Sequence, residues 1–88
     1  MCLHAIVKGI VQGVCYRIST QEKALDLGVK GWVCNTQEGT VEILMAGATQ
    51  DVKNMEAWLW KGPPSAVVES VEIESLPYND DLNTFEIR

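Results

Sequence analysis

The stretch from Gly9 to Arg17, Gly-Ile-Val-Gln-Gly-Val-Cys-Tyr-Arg, limits the possible folds of this chain more than any other. An alternating apolar segment, Leu3 to Val7, leads into Gly9, and a pattern typical of a helix follows Arg17. Glycines let the backbone turn its N–H groups inward, and a helix N-terminus adds unpaired donors and a positive dipole. The stretch is therefore compatible with an oxyanion site in which Arg17 is a charged, forked donor.

Pattern alone favours a plainer interpretation of this stretch, an ordinary strand-to-helix turn with a solvated arginine. No Gly-Lys-Ser/Thr follows, so it is not a Walker A loop, and the spacing of Gly9 and Gly13 does not fit GxGxxG. Cys15 near a helix N-terminus could be an activated nucleophile. Arg17 follows Cys15 too closely for a phosphatase loop to wrap between them, so this alternative is disfavoured.

Composition limits the class of protein. A chain of 88 residues predicts one domain, residues 1–88, with a modest core. No apolar run approaches the ~18 residues of a membrane span, and the N-terminus does not read as a signal peptide, so we expect a cytoplasmic protein without membrane contact. The net charge of −5 argues against a nucleic-acid partner. Because the overall field repels anions, an anion site in this chain must depend on nearby donors.

The thiols and the single imidazole do not form a metal-binding pattern. Cys2, Cys15 and Cys34 are widely spaced without a CxxC, and His4 is the one histidine. We therefore expect free thiols, no metal and no cofactor.

The first half of the chain predicts a helix and a hairpin. The helix runs from about Tyr16 to Leu27 and stops at Gly28. Strands over residues 29–36 and 40–46 are joined by Gln37-Glu38-Gly39. The residues expected to face the core are Leu3, Ala5, Val7, Ile18, Ala24, Leu25, Leu27, Val41, Ile43 and Met45.

The second half predicts another helix and two strands. Thr49 is the expected N-cap, and Gly62 with Pro63 ends the helix, whose inward residues are Val52, Met55 and Leu59. Trp58 and Trp60 cannot both face the core beside Leu59. A strand over residues 67–74, with Val71 and Ile73 inward, a loop over residues 76–83 marked by Pro77 and Asn79-Asp80-Asp81, and a strand with Phe85 and Ile87 complete the chain.

The order of elements predicts an α+β, ferredoxin-like sandwich: β-α-β-β-α-β plus a C-terminal strand, with two helices on one face of a mainly antiparallel sheet. Right-handed crossovers place the first and third strands side by side at the centre, next to the hairpin arm that carries Asn35. An RNA-recognition domain has the same strand order, but its central strands carry stacking aromatics on a basic face. The acidic chain lacks both features.

Two segments of this sequence resemble the signatures of the acylphosphatase family. Gly9-Ile-Val-Gln-Gly-Val-Cys-Tyr-Arg17 resembles the first, and Gly31-Trp-Val-Cys-Asn35-Thr-Gln-Glu-Gly39-Thr-Val-Glu42 resembles the second. Gly62-Pro-Pro-Ser-Ala and Phe85-Glu-Ile-Arg88 also resemble sequence features common in the family, so the resemblance covers essentially the whole chain. It outweighs the plainer interpretation of the glycine loop.

The resemblance implies hydrolysis of acyl phosphates to a carboxylate and inorganic phosphate, without a metal. It implies that Arg17 holds the phosphate and that Asn35 orients the attacking water. The implied backbone N–H ligands are those of Val11, Gln12, Gly13, Val14, Cys15 and Tyr16. We expect inorganic phosphate to be product and competitive inhibitor, and the protein to be a monomer.

Three positions depart from the family's pattern. Ile10 and Ala66-Val67-Val68 stand where the family often has basic residues, and Tyr16 stands where phenylalanine is commoner. The departures spare Arg17 and Asn35 and bear only on efficiency. A binding module that keeps the phosphate loop without turnover is the remaining alternative.

Overall fold

The computed structural model describes residues 1–78 and 81–88, so Asn79 and Asp80 of the predicted loop lie outside the described residues. Its elements in chain order are β1 (Cys2–Ile10), α1 (Tyr16–Leu27), β2 (Lys30–Asn35), β3 (Val41–Ala46), α2 (Thr49–Lys61), β4 (Val67–Leu76) and β5 (Phe85–Ile87). Among these residues, no helix is long and apolar enough to cross a membrane.

The strands form one sheet in the order β4-β1-β3-β2-β5. All neighbouring pairs are antiparallel except β2 with β5, which is parallel. The predicted ferredoxin-like fold is confirmed, including the central pair β1 and β3 and the place of β2 beside them.

The sheet brings the C-terminal ends of β1 and β2 to the same end of the sheet. Because β1 and β2 are each antiparallel to β3, they run in the same direction. In register, Val7 pairs with Val41, and Val41 also pairs with Asn35 on its other side. The loop that follows β1 therefore leaves the sheet at the same end at which β2 ends with Asn35.

Gly9 shapes the exit from β1. The register with β4 shifts between Lys8 and Gly9, and Gly9 has a φ of 133°. A Cβ at this position would overlap the carbonyl oxygen of Val67, so a side chain would push the two strands apart. The bulge lets the chain turn into the loop over residues 11–15.

The core between the sheet and the helices contains most of the predicted inward residues. Those of β1, β3 and α2 are all buried: Leu3, Ala5, Val7, Val41, Ile43, Met45, Val52, Met55 and Leu59. Trp60 is exposed while Trp58 packs against the core, which confirms that the two cannot share the inner face. Gly28 ends α1 with a φ of 72°, as predicted.

The prediction for the inner face of α1 is partly wrong. Ile18 and Leu25 are 55% and 57% exposed, whereas the buried row is Tyr16, Thr20 and Ala24. Thr20 can be buried because its hydroxyl donates to the Tyr16 carbonyl oxygen at 2.6 Å. Because its hydroxyl is hydrogen-bonded, Thr20 can face the core, where the apolar pattern predicts Ile18 and Leu25.

Two smaller predictions are also wrong. The N-cap of α2 is Ala48 and makes no side-chain hydrogen bond, so Thr49 is the first helical residue rather than the cap. Ile73 is 37% exposed because β4 is an edge strand, and an edge strand has a neighbour on one side only.

Candidate active site

A cavity of about 270 Å³ opens where the loop after β1, the start of α1 and the end of β2 meet. Its lining residues are Val11, Gly13, Cys15, Tyr16, Arg17, Ile18 and Asn35. A larger groove of about 360 Å³, lined by residues of the two helices, such as Trp58, and by the turn after α2, contains none of the predicted site residues. The smaller cavity is the candidate site because residues of both signature segments line it.

The loop contains two residues whose backbone is in the left-handed region. Gly13 and Cys15 have φ values of 75° and 64°, and Cys15 is the one residue other than glycine with positive φ in the described chain. A side chain in the left-handed region costs of order 1–3 kcal/mol, and such conformations concentrate at functional sites. Cys15 is also the N-cap of α1, and it makes no side-chain capping bond.

The N-terminus of α1 is therefore open to an external acceptor. Its first turn contains no acidic side chain, and the first N–H groups of a helix have no intrahelical partner. The helix dipole adds a partial positive charge at this point. Backbone donors and dipole together favour an anion in the cavity.

Among residues 1–78 and 81–88, Arg17 is the one charged residue that lines this cavity. It lies in the first turn of α1 with an exposed side chain. Within residues 1–78 and 81–88, none of the ion pairs includes it. Its guanidinium is therefore available to an incoming ligand with two or more oxygens in one plane.

Asn35 reaches the cavity from the second segment. It is exposed at the end of β2, where pairing with Val41 fixes its backbone. No side-chain hydrogen bond of Asn35 occurs in the described part of the chain. Its amide is free to bind a water or a ligand oxygen.

Four of the six predicted backbone ligands, Val11, Gly13, Cys15 and Tyr16, line the cavity, and two do not. The Gln12 side chain turns to the hairpin between β2 and β3, where its Nε2 donates to the carbonyl oxygens of Thr36 and Thr40, each at 2.9 Å. Val14 is half-buried against the core. The role of the backbone N–H groups stays a prediction.

Sequence reasoning missed two features of the site. Ile18, expected in the core, lines the cavity, because helical periodicity does not distinguish a core face from the rim of a pocket. The Gln12 side chain joins the two signature segments, which lie far apart in sequence, and no local pattern indicates such a contact.

The other titratable groups of interest lie outside the cavity. His4 Nε2 is 2.6 Å from Glu42 Oε2 on the sheet. Burial, followed by the nearby Glu42 carboxylate, raises the pKa of the Cys34 thiol. No group of three metal-binding side chains occurs among the described residues.

Comparisons with known proteins agree with these signatures. The sequence model of the acylphosphatase family matches residues 3–87. An acylphosphatase of Nitrosococcus oceani is 42% identical over 87 residues, which cover 99% of this chain and 97% of that protein.

Solved structures agree as well. The acylphosphatase of Coxiella burnetii superposes with a TM-score of 0.94 at 39% identity, covering 99% of this chain and 90% of that one. That of Bacillus subtilis gives a TM-score of 0.95 at 29% identity, with 99% and 97% covered.

The comparisons and the fold together define a small α+β hydrolase, whose cavity lies where β1 and β2 end. The chain belongs to the acylphosphatase family. It hydrolyses acyl phosphates, as the resemblance in the sequence predicts.

Proposed function

We propose that Arg17 and the backbone N–H groups of residues 11–16 bind the phosphoryl group, and that Asn35 orients the attacking water. The observation that carries this proposal is that Arg17 and Asn35, from different segments, line one cavity. The open N-terminus of α1 supports the same orientation, with the phosphoryl group against the loop.

Such a site acts mainly by positioning. The water oxygen attacks phosphorus, the bond from phosphorus to the acyl oxygen breaks, and its electron pair leaves on the carboxylate. The carboxylate is a good leaving group, so a proton-donating acid is dispensable. A phosphoryl oxygen accepts a proton from the water, because an amide such as Asn35 can orient a water but is not basic enough to deprotonate it.

In the transition state, negative charge is spread over the three phosphoryl oxygens that the loop and Arg17 would contact. Donors that are already oriented stabilise this charge without reorganisation, and this is commonly the largest single contribution to rate. Because the chain carries a net charge of −5, its overall field opposes an anion, and these local donors must outweigh it.

The test uses Asn35→Ala, with Asn54→Ala, at an exposed position of α2, as the matched control. Acetyl phosphate hydrolysis gives kcat, and inhibition by inorganic phosphate gives the ground-state affinity of the loop. We expect Asn35→Ala to lose about 10²-fold or more in kcat while the inhibition constant for phosphate changes little. The control is expected to match the parent in both.

Two results would contradict the proposed roles. An unchanged kcat in folded Asn35→Ala removes Asn35 from the reaction. Noncompetitive inhibition by phosphate contradicts a site shared with the substrate. The same assay with a chelator tests the proposed independence from metal, and the mass in solution tests the proposed monomer.

A further inference from the structure

The side chain of Gln12 joins the two halves of the site. Both hydrogens of its amide nitrogen are used: one donates to the carbonyl oxygen of Thr36 and the other to that of Thr40, each at 2.9 Å. Gln12 lies in the loop between two residues that line the cavity, and Thr36 directly follows Asn35. The amide therefore links the loop to the strand end that carries Asn35.

The hairpin closes without this amide. Thr36 N–H donates to the Thr40 carbonyl at 3.0 Å, and Gly39 N–H donates to the Thr36 carbonyl at 3.3 Å. The hydroxyls of Thr36 and Thr40 are 2.6 Å apart and hydrogen-bonded. Both carbonyl oxygens thus have another partner, and the distinct effect of Gln12 is to hold the loop and the hairpin at a fixed separation.

Other contacts hold the loop against the core rather than the hairpin. Val11 and Tyr16 at its two ends are each 1% exposed, and the Tyr16 hydroxyl donates to the Leu59 carbonyl of α2 at 2.6 Å. These anchors set the loop's height above the core. They do not link it to Asn35.

We propose that Gln12 is a positioning residue, whose side chain sets the distance between the phosphoryl group in the loop and the water held by Asn35. The proposal rests on the roles proposed above for the loop and Asn35. A misplacement of about 1 Å between reacting groups can cost on the order of 10²-fold in rate. Loss of the link should therefore lower kcat without weakening the grip of the loop on phosphate.

The first test compares Gln12→Met with Gln21→Met. Methionine is close to glutamine in length and cannot donate, and the backbone N–H of residue 12 is retained. Gln21 is a matched control because its amide also donates to a carbonyl oxygen, that of Phe85 at 3.0 Å, outside the cavity lining. We expect Gln12→Met to lose about 10-fold or more in kcat, with the phosphate inhibition constant within about 3-fold of the parent. Gln21→Met should retain the parent's kcat.

The second test is a double-mutant cycle with Asn35→Ala. If Gln12 acts through Asn35, Gln12→Met has little further effect on kcat once Asn35 is removed. An equal loss in both backgrounds would show that Gln12 acts independently of Asn35 and would overturn the proposal. An unchanged kcat in folded Gln12→Met would overturn it as well.

If Gln12→Met does not fold, Gln12→Asn replaces it in the test. Asparagine keeps an amide but is one methylene too short to reach both carbonyls. Failure of both variants to fold, judged by circular dichroism, would give Gln12 a purely structural role and overturn the proposal. The proposed function fails separately, when Asn35→Ala alone keeps its kcat. Loss of rate in Asn35→Ala with none in Gln12→Met defeats only the positioning role.

Discussion

Arg17 combines a permanent charge with two parallel donors at the start of α1. It lines the cavity and has no ion-pair partner in the described part of the chain. Such an arginine can bind the substrate without first breaking an ion pair with a carboxylate of the protein. A planar fork also matches two phosphoryl oxygens, which a lysine ammonium does not.

Arg17→Lys is therefore expected to behave almost as badly as Arg17→Ala. We expect a loss of about 10²-fold or more in kcat/KM for both variants, by analogy with the removal of one oriented donor. Arg88→Lys is the matched control, because Arg88 lies over the Trp32 ring at 5.2 Å, outside the cavity lining. Near-parent activity in Arg17→Lys would refute the bidentate contact.

Ile18 gives the cavity an apolar wall. Its side chain is 55% exposed, and it follows Arg17 in the first turn of α1. The cavity volume of about 270 Å³ leaves room beyond the phosphoryl group. We expect the acyl group of the substrate to contact Ile18.

Ile18→Ser should lower kcat/KM for benzoyl phosphate about 3- to 10-fold more than for acetyl phosphate, because a larger acyl group loses more apolar contact. Leu25→Ser is the matched control: Leu25 is 57% exposed on the same helix and does not line the cavity. An equal effect of Ile18→Ser on the two substrates would exclude an acyl contact at this residue.

At the scale of elements, α1 and α2 are joined through Tyr16. Its ring packs against Trp58 at 5.7 Å, and its hydroxyl donates to the Leu59 carbonyl at 2.6 Å. The helical partner of that carbonyl would be the N–H of the residue four positions on, but this residue is Pro63, which has none. The tyrosine hydroxyl thus satisfies a carbonyl that the proline leaves unpaired.

This buried phenol predicts an alkaline loss of stability. Burial raises the pKa of Tyr16 far above its ordinary value of 10.0. Above pH 10.0 the unfolded chain releases the Tyr16 proton, which the folded protein retains. The free energy of unfolding therefore falls, by up to about 1.4 kcal/mol per pH unit. Below pH 10.0 both states keep the proton, and the contribution of Tyr16 is constant.

Denaturant unfolding of Tyr16→Phe against the parent, from pH 7 to 11, measures this effect. At pH 7 the variant should be less stable by about 0.5–1.5 kcal/mol, the usual worth of one hydrogen bond. Its stability should fall less steeply above pH 10.0, the ordinary pKa of the residue. The Cys34 thiol, whose pKa burial also raises, contributes equally to both proteins. Tyr78→Phe, at a side chain that is 54% exposed, should follow the parent, and parallel curves for Tyr16→Phe and parent would contradict the assignment.

At the scale of the molecule, the sheet order decides where the two signature segments meet. β3 lies between β1 and β2 and makes them run in the same direction, so the loop and Asn35 emerge at the same end of the sheet. Neither segment alone offers both the proposed phosphate-binding donors and the proposed water-holding amide. The hairpin and the helix crossovers of the fold are what unite them.

The sequence by itself determined the order of elements, the core rows of β1, β3 and α2, and the family. These features are local or periodic: glycine permits a left-handed backbone wherever it stands, and the period of apolar residues distinguishes strand from helix. The two signatures named Arg17 and Asn35 as candidates for the same reason, since each is a continuous stretch.

Only the tertiary structure decided which side chains meet. The exposure of Ile18 and Leu25 depends on Thr20, whose hydroxyl is satisfied within its own helix and can therefore be buried. The contact of Gln12 with Thr36 and Thr40 depends on the register of β1, β3 and β2. Such contacts join residues far apart in the chain, so they arise from the packing of whole elements and leave no periodic trace in the sequence.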